Sequence, residues 1–306
     1  MSNLTYRPWQ DGDDLALLQL WGDPATPQAH IDRTMLRASS EDPWARCVVG
    51  EDLGVPVAAA VVFESSLHPD RLWFYAEVAP EHRRQGIATE MANLLRAEVP
   101  PSGVTALKSR YTFAAGVDDG GAAAGFAASL GQAPIQRARD VVVEPESLKL
   151  PVFDDDGLTL EAAATGSVEL TRLVADYYNA LHGWDRAEMT LGRAQAMLLG
   201  DSTGAKGAVV LRDKPKDKGG KILSFALSYE PARVDAPADV LLGWDPALPE
   251  AEAREAVRGL LAMLVHQYPV KLEVDDSMVP LAQLVDELVA AGQATVVTTT
   301  TIVATA

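Results

Sequence analysis

The strongest constraint on the fold lies between residues 72 and 99, where three kinds of segment follow one another without a gap. Residues 72–80 (LWFYAEVAP) are an apolar, aromatic run of strand length, and its last residue, Pro80, cannot continue a central strand. A short basic loop, EHRRQG, follows. The residues after the loop recur at helical spacing and predict a helix with one buried face: Ile87, Met91, Leu94 and Leu95.

The loop residues Arg83–Ala88 (RRQGIA) suit an anion. The first N–H groups of a helix have no acceptor within the helix, and they lie at the positive end of its dipole. Gly86 and Ala88 carry no large side chain that would block a close approach. The sequence therefore predicts an anion site here, and the ligand that this arrangement suits best is a diphosphate. The alternative is an ordinary strand-to-helix turn with surface arginines.

This segment resembles the acyl-CoA loop of the GNAT superfamily of N-acyltransferases, because R-x-x-G-x-A follows a strand that ends in V-x-P. The resemblance implies that CoA, with acetyl-CoA as the expected acyl donor, binds here. Backbone groups of the strand would pair with the pantetheine arm, and N–H groups of the loop and helix would hold the pyrophosphate. It implies ten cofactor-binding residues: Ala76, Glu77, Val78, Arg83, Arg84, Gln85, Gly86, Ile87, Ala88 and Thr89.

The length of 306 residues predicts two domains rather than one. Residues 1–146 show the element order β-α-α-β-β-β-α-β-α-β of GNAT domains, and residues 158–306 repeat that order without close identity. Residues 147–157 (SLKLPVFDDDG) are the predicted linker. We therefore expect an α+β protein of two tandem GNAT-like domains, each a mixed sheet flanked by helices. This arrangement resembles tandem GNAT proteins of the mycothiol synthase type.

Four further elements are expected from the pattern. They are helices over residues 27–39, 120–131 and 187–199, and a strand over residues 104–108.

The second domain differs from the first at its own loop. When Pro246 is matched with Pro80, the positions of Arg83, Gly86 and Ala88 are taken by Pro249, Glu252 and Arg254. A carboxylate would then stand where a phosphate must approach, and that repulsion costs several kcal/mol at short range. We expect that the second domain does not bind CoA in the family manner.

Acyl transfer to an aliphatic amine needs a base, since the amine is protonated at neutral pH. Glu77 is the candidate, because strand alternation puts its side chain on the face of Tyr75 and Trp73. The alternative is that Glu77 is a solvent-facing acid that contributes only its backbone. The family's tyrosine acid is replaced by Ala127, and a frequent family asparagine matches Gly120. Solvent or another residue would then protonate the leaving thiolate.

The net charge of −17, shared by both halves, argues against nucleic-acid partners. It favours a small amine acceptor; the alternative is that the acidity serves solubility. No apolar run has membrane-spanning length and no signal peptide is expected at the first residues. The single cysteine, Cys47, indicates a cytoplasmic protein. The five histidines lack ligand spacing, so no metal is expected. The sequence does not determine whether the protein is a monomer or a homodimer.

Two functions follow. The first is an acyl-CoA-dependent N-acyltransferase that acts on a small amine-bearing acceptor through the N-terminal domain. The second is an acyl-CoA-binding regulatory or scaffold protein without turnover, which the missing tyrosine at position 127 and the altered second loop would favour.

Overall fold

The computed structural model describes residues 4–24, 26–98, 100–117, 121–153, 157–230, 233 and 236–306. In chain order the first half contains β1 Leu4–Pro8, α1 Asp13–Trp21, α2 Pro27–Arg33, β2 Ser40–Glu41, β3 Trp44–Asp52, β4 Val55–Phe63, β5 Leu72–Val78, α3 Ile87–Arg96, β6 Leu107–Ala114, α4 Gly121–Ser129 and β7 Ala133–Val143. The second half contains β8 Thr159–Ala163, α5 Val168–Leu181, α6 Leu191–Ala194, β9 Ala205–Arg212, β10 Ile222–Tyr229, β11 Ala238–Trp244, α7 Glu250–Leu264, β12 Val270–Asp275, α8 Val279–Ala290 and β13 Ala294–Ala304.

The chain forms two compact units. The first contains residues 1–112, 118–135 and 301–306, and the second contains residues 113–117 and 136–300. The bounds of these units differ from the predicted domain bounds of 1–146 and 158–306. Most of β7 belongs to the second unit, and the last residues of β13 belong to the first. Residues 138–143 of β7 pair with β12 in the second unit, whereas Thr305 donates its N–H to the Leu107 carbonyl in the first.

The sheet of the first unit has the order β1-β3-β4-β5-β6, antiparallel except for the parallel pair β5–β6. Both faces are covered, and alternate residues of β4 enter two different cores. Ala58, Ala60 and Val62 pack in the core that contains α3. Ala59 and Val61 pack in the core that contains Leu17 of α1.

The buried face of α3 differs slightly from the predicted one. Ile87, Met91 and Leu95 are buried as expected, but Leu94 is 40% exposed. Ala92 is fully buried instead. The stripe is therefore centred near Met91 and Leu95, and Leu94 falls at its edge.

The sheet of the second unit repeats this order as β8-β9-β10-β11-β12, with β11 and β12 parallel and β7 antiparallel to β12. Each unit is thus a mixed sheet flanked by helices, as predicted. No helix in the described part of the chain is both long and apolar enough to cross a membrane.

Three predicted elements differ from expectation. The α2 helix ends at Arg33, because Met35 and Leu36 donate to carbonyls three residues back in a tighter turn. The predicted helix over residues 187–199 begins only at α6, because the side-chain amide of Asn179 holds both backbone groups of Met189. The strand predicted over 104–108 is β6, whose later residues are half-buried polar and aromatic side chains. The helix predicted over residues 120–131 starts at Gly120, which lies outside the described residues.

Candidate active site

Strands β5 and β6 diverge after their first residues. Their parallel register joins Leu72 with Leu107 and Trp73 with Lys108. On its other edge, β5 stays paired with β4 as far as Val78. Within the described residues the β5–β6 ladder goes no further, so the later part of β5 borders an opening in the sheet. Backbone groups at such an opening can hydrogen-bond a ligand in place of a strand.

The loop after β5 turns the chain with two residues in the left-handed conformation. A 3₁₀ turn over Pro80–His82 is followed by Arg84 at φ 64° and Gly86 at φ 82°, and α3 begins at Ile87. Gly86 is the N-cap of α3, and no side chain caps the helix. The first N–H groups of α3 therefore lack intrahelical acceptors at the positive end of the dipole.

The space in front of this helix end is open. A Cβ atom added at Gly86 would meet nothing within 4 Å. The guanidinium of Arg83 folds back and its Nε donates to the Val78 carbonyl at 3.0 Å. An anion that reached the helix end would thus meet backbone N–H groups with a guanidinium fixed beside them, which is an arrangement suited to phosphate.

A cavity of about 690 Å³, here named the loop cavity, lies in the first unit between the end of β5, the loop, the start of α3, and α4. Nine of the ten predicted binding residues line it: Ala76, Glu77, Val78, Arg83, Arg84, Gly86, Ile87, Ala88 and Thr89. The tenth, Gln85, turns away and its Nε2 donates to the Glu81 carbonyl at 3.2 Å. The volume lies in the usual range for small-molecule sites.

Sequence reasoning missed the far wall of this cavity. His82 lines the cavity, and its Nε2 lies 3.3 Å from Oδ2 of Asp52. From α4 the cavity receives Ala122, Ala123 and Gly125. The signal was present as a run of small residues, since such a helix face lets a ligand lie close to the backbone.

Glu77 lies on the same face of β5 as Tyr75, as alternation predicts. Its two carboxylate oxygens accept hydrogen bonds from Arg33 at 2.8 and 2.7 Å, and one of them also accepts from the Tyr75 hydroxyl at 2.7 Å. The Arg33 guanidinium in turn lies 5.2 Å from the ring centroid of Trp21. The hydrogen bond to Glu77 raises the pKa of Arg33, and burial raises the pKa of Tyr75. The sequence did not predict Arg33 as the partner of Glu77.

A second cavity in the first unit, of about 450 Å³, is here named the α2 cavity. It is lined by residues of α2, β5 and β6, among them Asp32, Tyr75 and Arg110. Arg110 donates twice to one oxygen of Asp32, at 2.9 and 2.7 Å. The loop cavity and the α2 cavity meet at the opening in the sheet, because four residues line both: Ala76, Arg83, Ala123 and Phe126.

The position where a tyrosine would act as the general acid carries no proton donor in this chain. Ala127 is buried at 5% exposure and lines the α2 cavity with its methyl group. Gly120, which matches the family asparagine, lies outside the described residues.

The cysteine thiol and the possible metal ligands complete the list of reactive side chains. Burial raises the pKa of the Cys47 thiol to about 12, so it stays protonated near neutral pH. Among the residues whose placement is described, no three His, Cys, Asp or Glu side chains are arranged to hold a metal ion.

Helix α7 of the second unit corresponds to α3 of the first, but its first turn is different. Helix α7 has Pro249 as its N-cap, with Glu250 and Glu252 in its first turn. Hydrogen bonds link α7 to α8: Arg254 donates to Glu287 at 2.5 Å and to Gln283 at 3.0 Å, and Gln283 donates to Glu250 at 3.3 Å. The helix start that is open in the first unit is thus acidic and bonded to its neighbour in the second.

The fold and this site together define a class of protein. Both units contain a mixed sheet with two parallel strands, followed by a helix that no side chain caps. The N-cap of that helix is a glycine in the first unit and a proline in the second. The chain has the tandem GNAT fold.

Solved structures of similar fold support this assignment. A GCN5-related N-acetyltransferase from Sphaerobacter thermophilus is 16% identical with a TM-score of 0.60, and the match covers 98% of this chain and 95% of that one. A tandem GNAT protein from the clavulanic acid biosynthesis pathway is 15% identical with a TM-score of 0.59, covering 99% and 98%. A glucosamine N-acetyltransferase region of a fungal multi-domain β-N-acetylglucosaminidase is 13% identical with a TM-score of 0.65, covering 99% and 38%. No protein-family model and no curated protein matches the sequence.

Proposed function

We propose that the chain is an acyl-CoA-dependent N-acyltransferase that carries an acyl group, with acetyl-CoA as donor, to the nitrogen of a small amine through its first unit. The observation that carries the proposal is the diverging strand β5 beside an open, uncapped helix start, with both bordering one cavity of about 690 Å³. CoA supplies the acyl group as an activated thioester. The solved GNAT structures of the same fold support transferase activity.

The residues of the loop cavity fit such a donor. The N–H groups from Arg84 to Thr89 would hold the pyrophosphate at the helix end, with the guanidinium of Arg83 beside them. Backbone groups of residues 76–78 border the opening in the sheet and would pair with the pantetheine arm. Small residues of α4 leave room for that arm on the opposite wall.

The acceptor would enter through the α2 cavity, which meets the loop cavity at Ala76 and Phe126. In this proposal Glu77 takes the proton of the amine, directly or through a water molecule. A carboxylate has about four lone-pair positions, so three hydrogen bonds from Arg33 and Tyr75 leave capacity for one more partner. Arg33 fixes the orientation of the carboxylate for that role.

The second candidate is an acyl-CoA-binding protein without turnover, which would serve as a regulator or scaffold. Two observations favour it. Ala127 places a buried methyl group where the family carries its tyrosine acid. Both carboxylate oxygens of Glu77 are already held by Arg33, as they would be in a purely structural ion pair.

The experiment measures thiol release from acetyl-CoA by the full chain across a panel of small amines, together with acetyl-CoA affinity by calorimetry. If Glu77 is the base, Glu77→Gln lowers kcat by roughly 10²–10⁴-fold and leaves the Kd for acetyl-CoA unchanged. The acidic limb of the pH–rate profile disappears with it. Tyr75→Phe is the matched control, since it removes one hydrogen bond but keeps the carboxylate, and it should cost less than about tenfold.

Two results would change this assignment. Acetyl-CoA binding without thiol release in the presence of any amine would favour the binding protein over the enzyme. Turnover with an unchanged kcat and pH profile in Glu77→Gln would keep the enzyme but return Glu77 to a structural role.

We also propose a cytoplasmic setting, which the single, buried cysteine of the sequence supports.

A further inference from the structure

The α2 cavity differs in charge from the chain that contains it. The whole chain carries a net charge of −17. Of the described residues that line the cavity, only Asp32, Arg83 and Arg110 are ionised at neutral pH. Arg83 also lines the loop cavity, where the pyrophosphate of the proposed donor would offset its charge. The acceptor side is left with Asp32 and Arg110, whose charges cancel.

The hydrogen bonds of Asp32 are unevenly divided between its two oxygens. Nε and Nη2 of Arg110 both donate to Oδ1, at 2.9 and 2.7 Å, and Nε2 of Gln28 donates to the same oxygen at 2.9 Å. Within the described part of the chain, no donor reaches Oδ2 of Asp32 and no acceptor reaches Nη1 of Arg110. A bidentate pair would have used both carboxylate oxygens. This ion pair therefore keeps one unused acceptor and one unused donor.

The unused oxygen of Asp32 has little access to water. Asp32 is 8% exposed, and it is the buried residue of α2. A charged oxygen at such burial lowers the stability of the fold unless a donor satisfies it. Because Asp32 lines the α2 cavity, a molecule bound there can supply that donor.

The ion pair favours hydroxyl groups over ions. An ammonium group near the pair would be attracted by Asp32 and repelled by Arg110, and a carboxylate would meet the reverse. A hydroxyl can donate to the carboxylate oxygen, and a neighbouring hydroxyl can accept from Nη1, without either opposition. The other walls are neutral as well: Ser109 and Gln132 are hydrogen-bonded to each other at 2.9 and 2.7 Å, and Phe126 provides an apolar surface.

We propose that the acceptor is a polyhydroxylated amine, whose hydroxyls bind Oδ2 of Asp32 and Nη1 of Arg110 in the α2 cavity. Its nitrogen reaches Glu77 at the opening in the sheet. The two ends of the acceptor are close enough for this, since Tyr75 lines the α2 cavity and its hydroxyl donates to Glu77. The location of the reacting nitrogen rests on the proposed transferase function, whereas the hydroxyl site rests on the ion pair alone.

The test measures thiol release from acetyl-CoA by the full chain with two matched pairs of amines. They are D-glucamine with hexylamine, and 3-aminopropane-1,2-diol with propylamine. We expect kcat/KM to be roughly 10–100-fold higher for the hydroxylated member of at least one pair, the usual effect of hydrogen bonds to charged groups. Hexane-1,6-diamine and 6-aminohexanoate carry a second cation or an anion instead, and neither should exceed the polyol amine. Calorimetry on protein saturated with CoA should give the same order of affinity.

The double variant Asp32→Ala/Arg110→Met removes both charges together, so neither is left unpaired. We expect the preference for the hydroxylated amine to fall to within about threefold. This ratio compares two substrates on one preparation, so a partial loss of folded protein does not change it. The matched control is Glu41→Ala/Arg46→Met, which removes an ion pair of the same unit whose residues line neither cavity. It should keep the wild-type ratio.

The outcomes separate this proposal from the transferase activity. Binding of a polyol amine to the CoA-saturated protein without thiol release would keep the hydroxyl site and remove the enzyme. Thiol release without preference in either pair would keep the enzyme and overturn the hydroxyl site. The hydroxyl site is also overturned if the diamine or 6-aminohexanoate is the best substrate, if the double variant keeps the wild-type ratio, or if no polyol amine binds or reacts.

Discussion

At the scale of single residues, the backbone conformation at position 86 and the access of a ligand to the helix end both favour glycine. Its φ of 82° is one that an L residue adopts at a cost of roughly 1 kcal/mol, and the space where its Cβ would lie is empty. The neighbouring Arg84 accepts that cost at φ 64°. Left-handed residues of this kind concentrate at functional sites. In this loop they bring the uncapped start of α3 to face the loop cavity.

The first prediction compares two substitutions at this position. Gly86→Ala and Gly86→Glu impose the same backbone strain, but only the second adds a carboxylate at the helix end. A carboxylate roughly 5 Å from one phosphate charge costs about 3 kcal/mol at an effective dielectric constant near 20, or about 100-fold in affinity. We expect Gly86→Glu to weaken acetyl-CoA binding by that factor and Gly86→Ala by less than about tenfold, measured by calorimetry. Both variants should melt at similar temperatures. Equal losses would assign the effect to strain, and an unchanged Kd in Gly86→Glu would remove the loop from the site.

At the scale of elements, Arg212 shows how one buried side chain joins three parts of the second unit. It projects from β9 at 2% side-chain exposure. Its guanidinium donates to Glu161 of β8 at 2.8 Å, to both oxygens of Glu169 of α5 at 2.7 and 2.8 Å, and to the Gly220 carbonyl. The hydrogen bond from Arg212 is the main cause that lowers the pKa of Glu169. Without the guanidinium, two carboxylates would face each other.

The second prediction follows from that geometry. A carboxyl group whose pKa is lowered in the folded state stabilises the fold fully above its unfolded pKa of 4.5, and this contribution is lost progressively as the pH falls from that value through the lower pKa of the folded state. Arg212→Met should therefore destabilise the chain by about 2 kcal/mol at pH 7, reduced from the figure for fully buried pairs because Glu169 is partly exposed. The deficit should shrink at pH 4. Denaturant unfolding at the two pH values measures it.

Arg186→Met is the control for this prediction, since Arg186 forms an exposed pair with Glu188, and it should cost less than about 0.5 kcal/mol at either pH. A deficit for Arg212→Met that is the same at pH 4 and pH 7 would mean that packing, not charge, accounts for it.

Elements with a strong apolar period could be predicted from the sequence, and those defined by single side chains could not. The pattern predicted β4, β10 and α5 at their observed bounds. It misplaced the start of α6, because the amide of Asn179, ten residues earlier, holds Met189 out of the helix. In the site it predicted the residues of one contiguous loop. It did not predict Arg33, which reaches Glu77 across 44 positions of sequence.

At the scale of the whole chain, two units with the same strand order differ at one helix start. In the first unit, α3 begins after a glycine and its end borders a cavity. In the second unit, α7 begins after a proline with two acids in its first turn, and α8 holds it through Glu287 and Gln283. Acids in the first turn of a helix interact favourably with the positive end of its dipole. We therefore expect an anion site at the start of α3 and none at the start of α7.

The last prediction is that one molecule of acetyl-CoA binds per chain. Calorimetric titration of the full chain should give a stoichiometry near one, and Gly86→Glu should reduce this binding without revealing a second class of sites. Arg254→Met is the matched probe of the second unit, since it removes the hydrogen bonds from α7 to Glu287 and Gln283 but leaves Glu250 and Glu252 in place. We expect it to leave both stoichiometry and affinity unchanged, because the acidic first turn still repels phosphate. A stoichiometry of two, or a second site that appears in Arg254→Met, would show that the second unit keeps a donor site and that its acids do not exclude one.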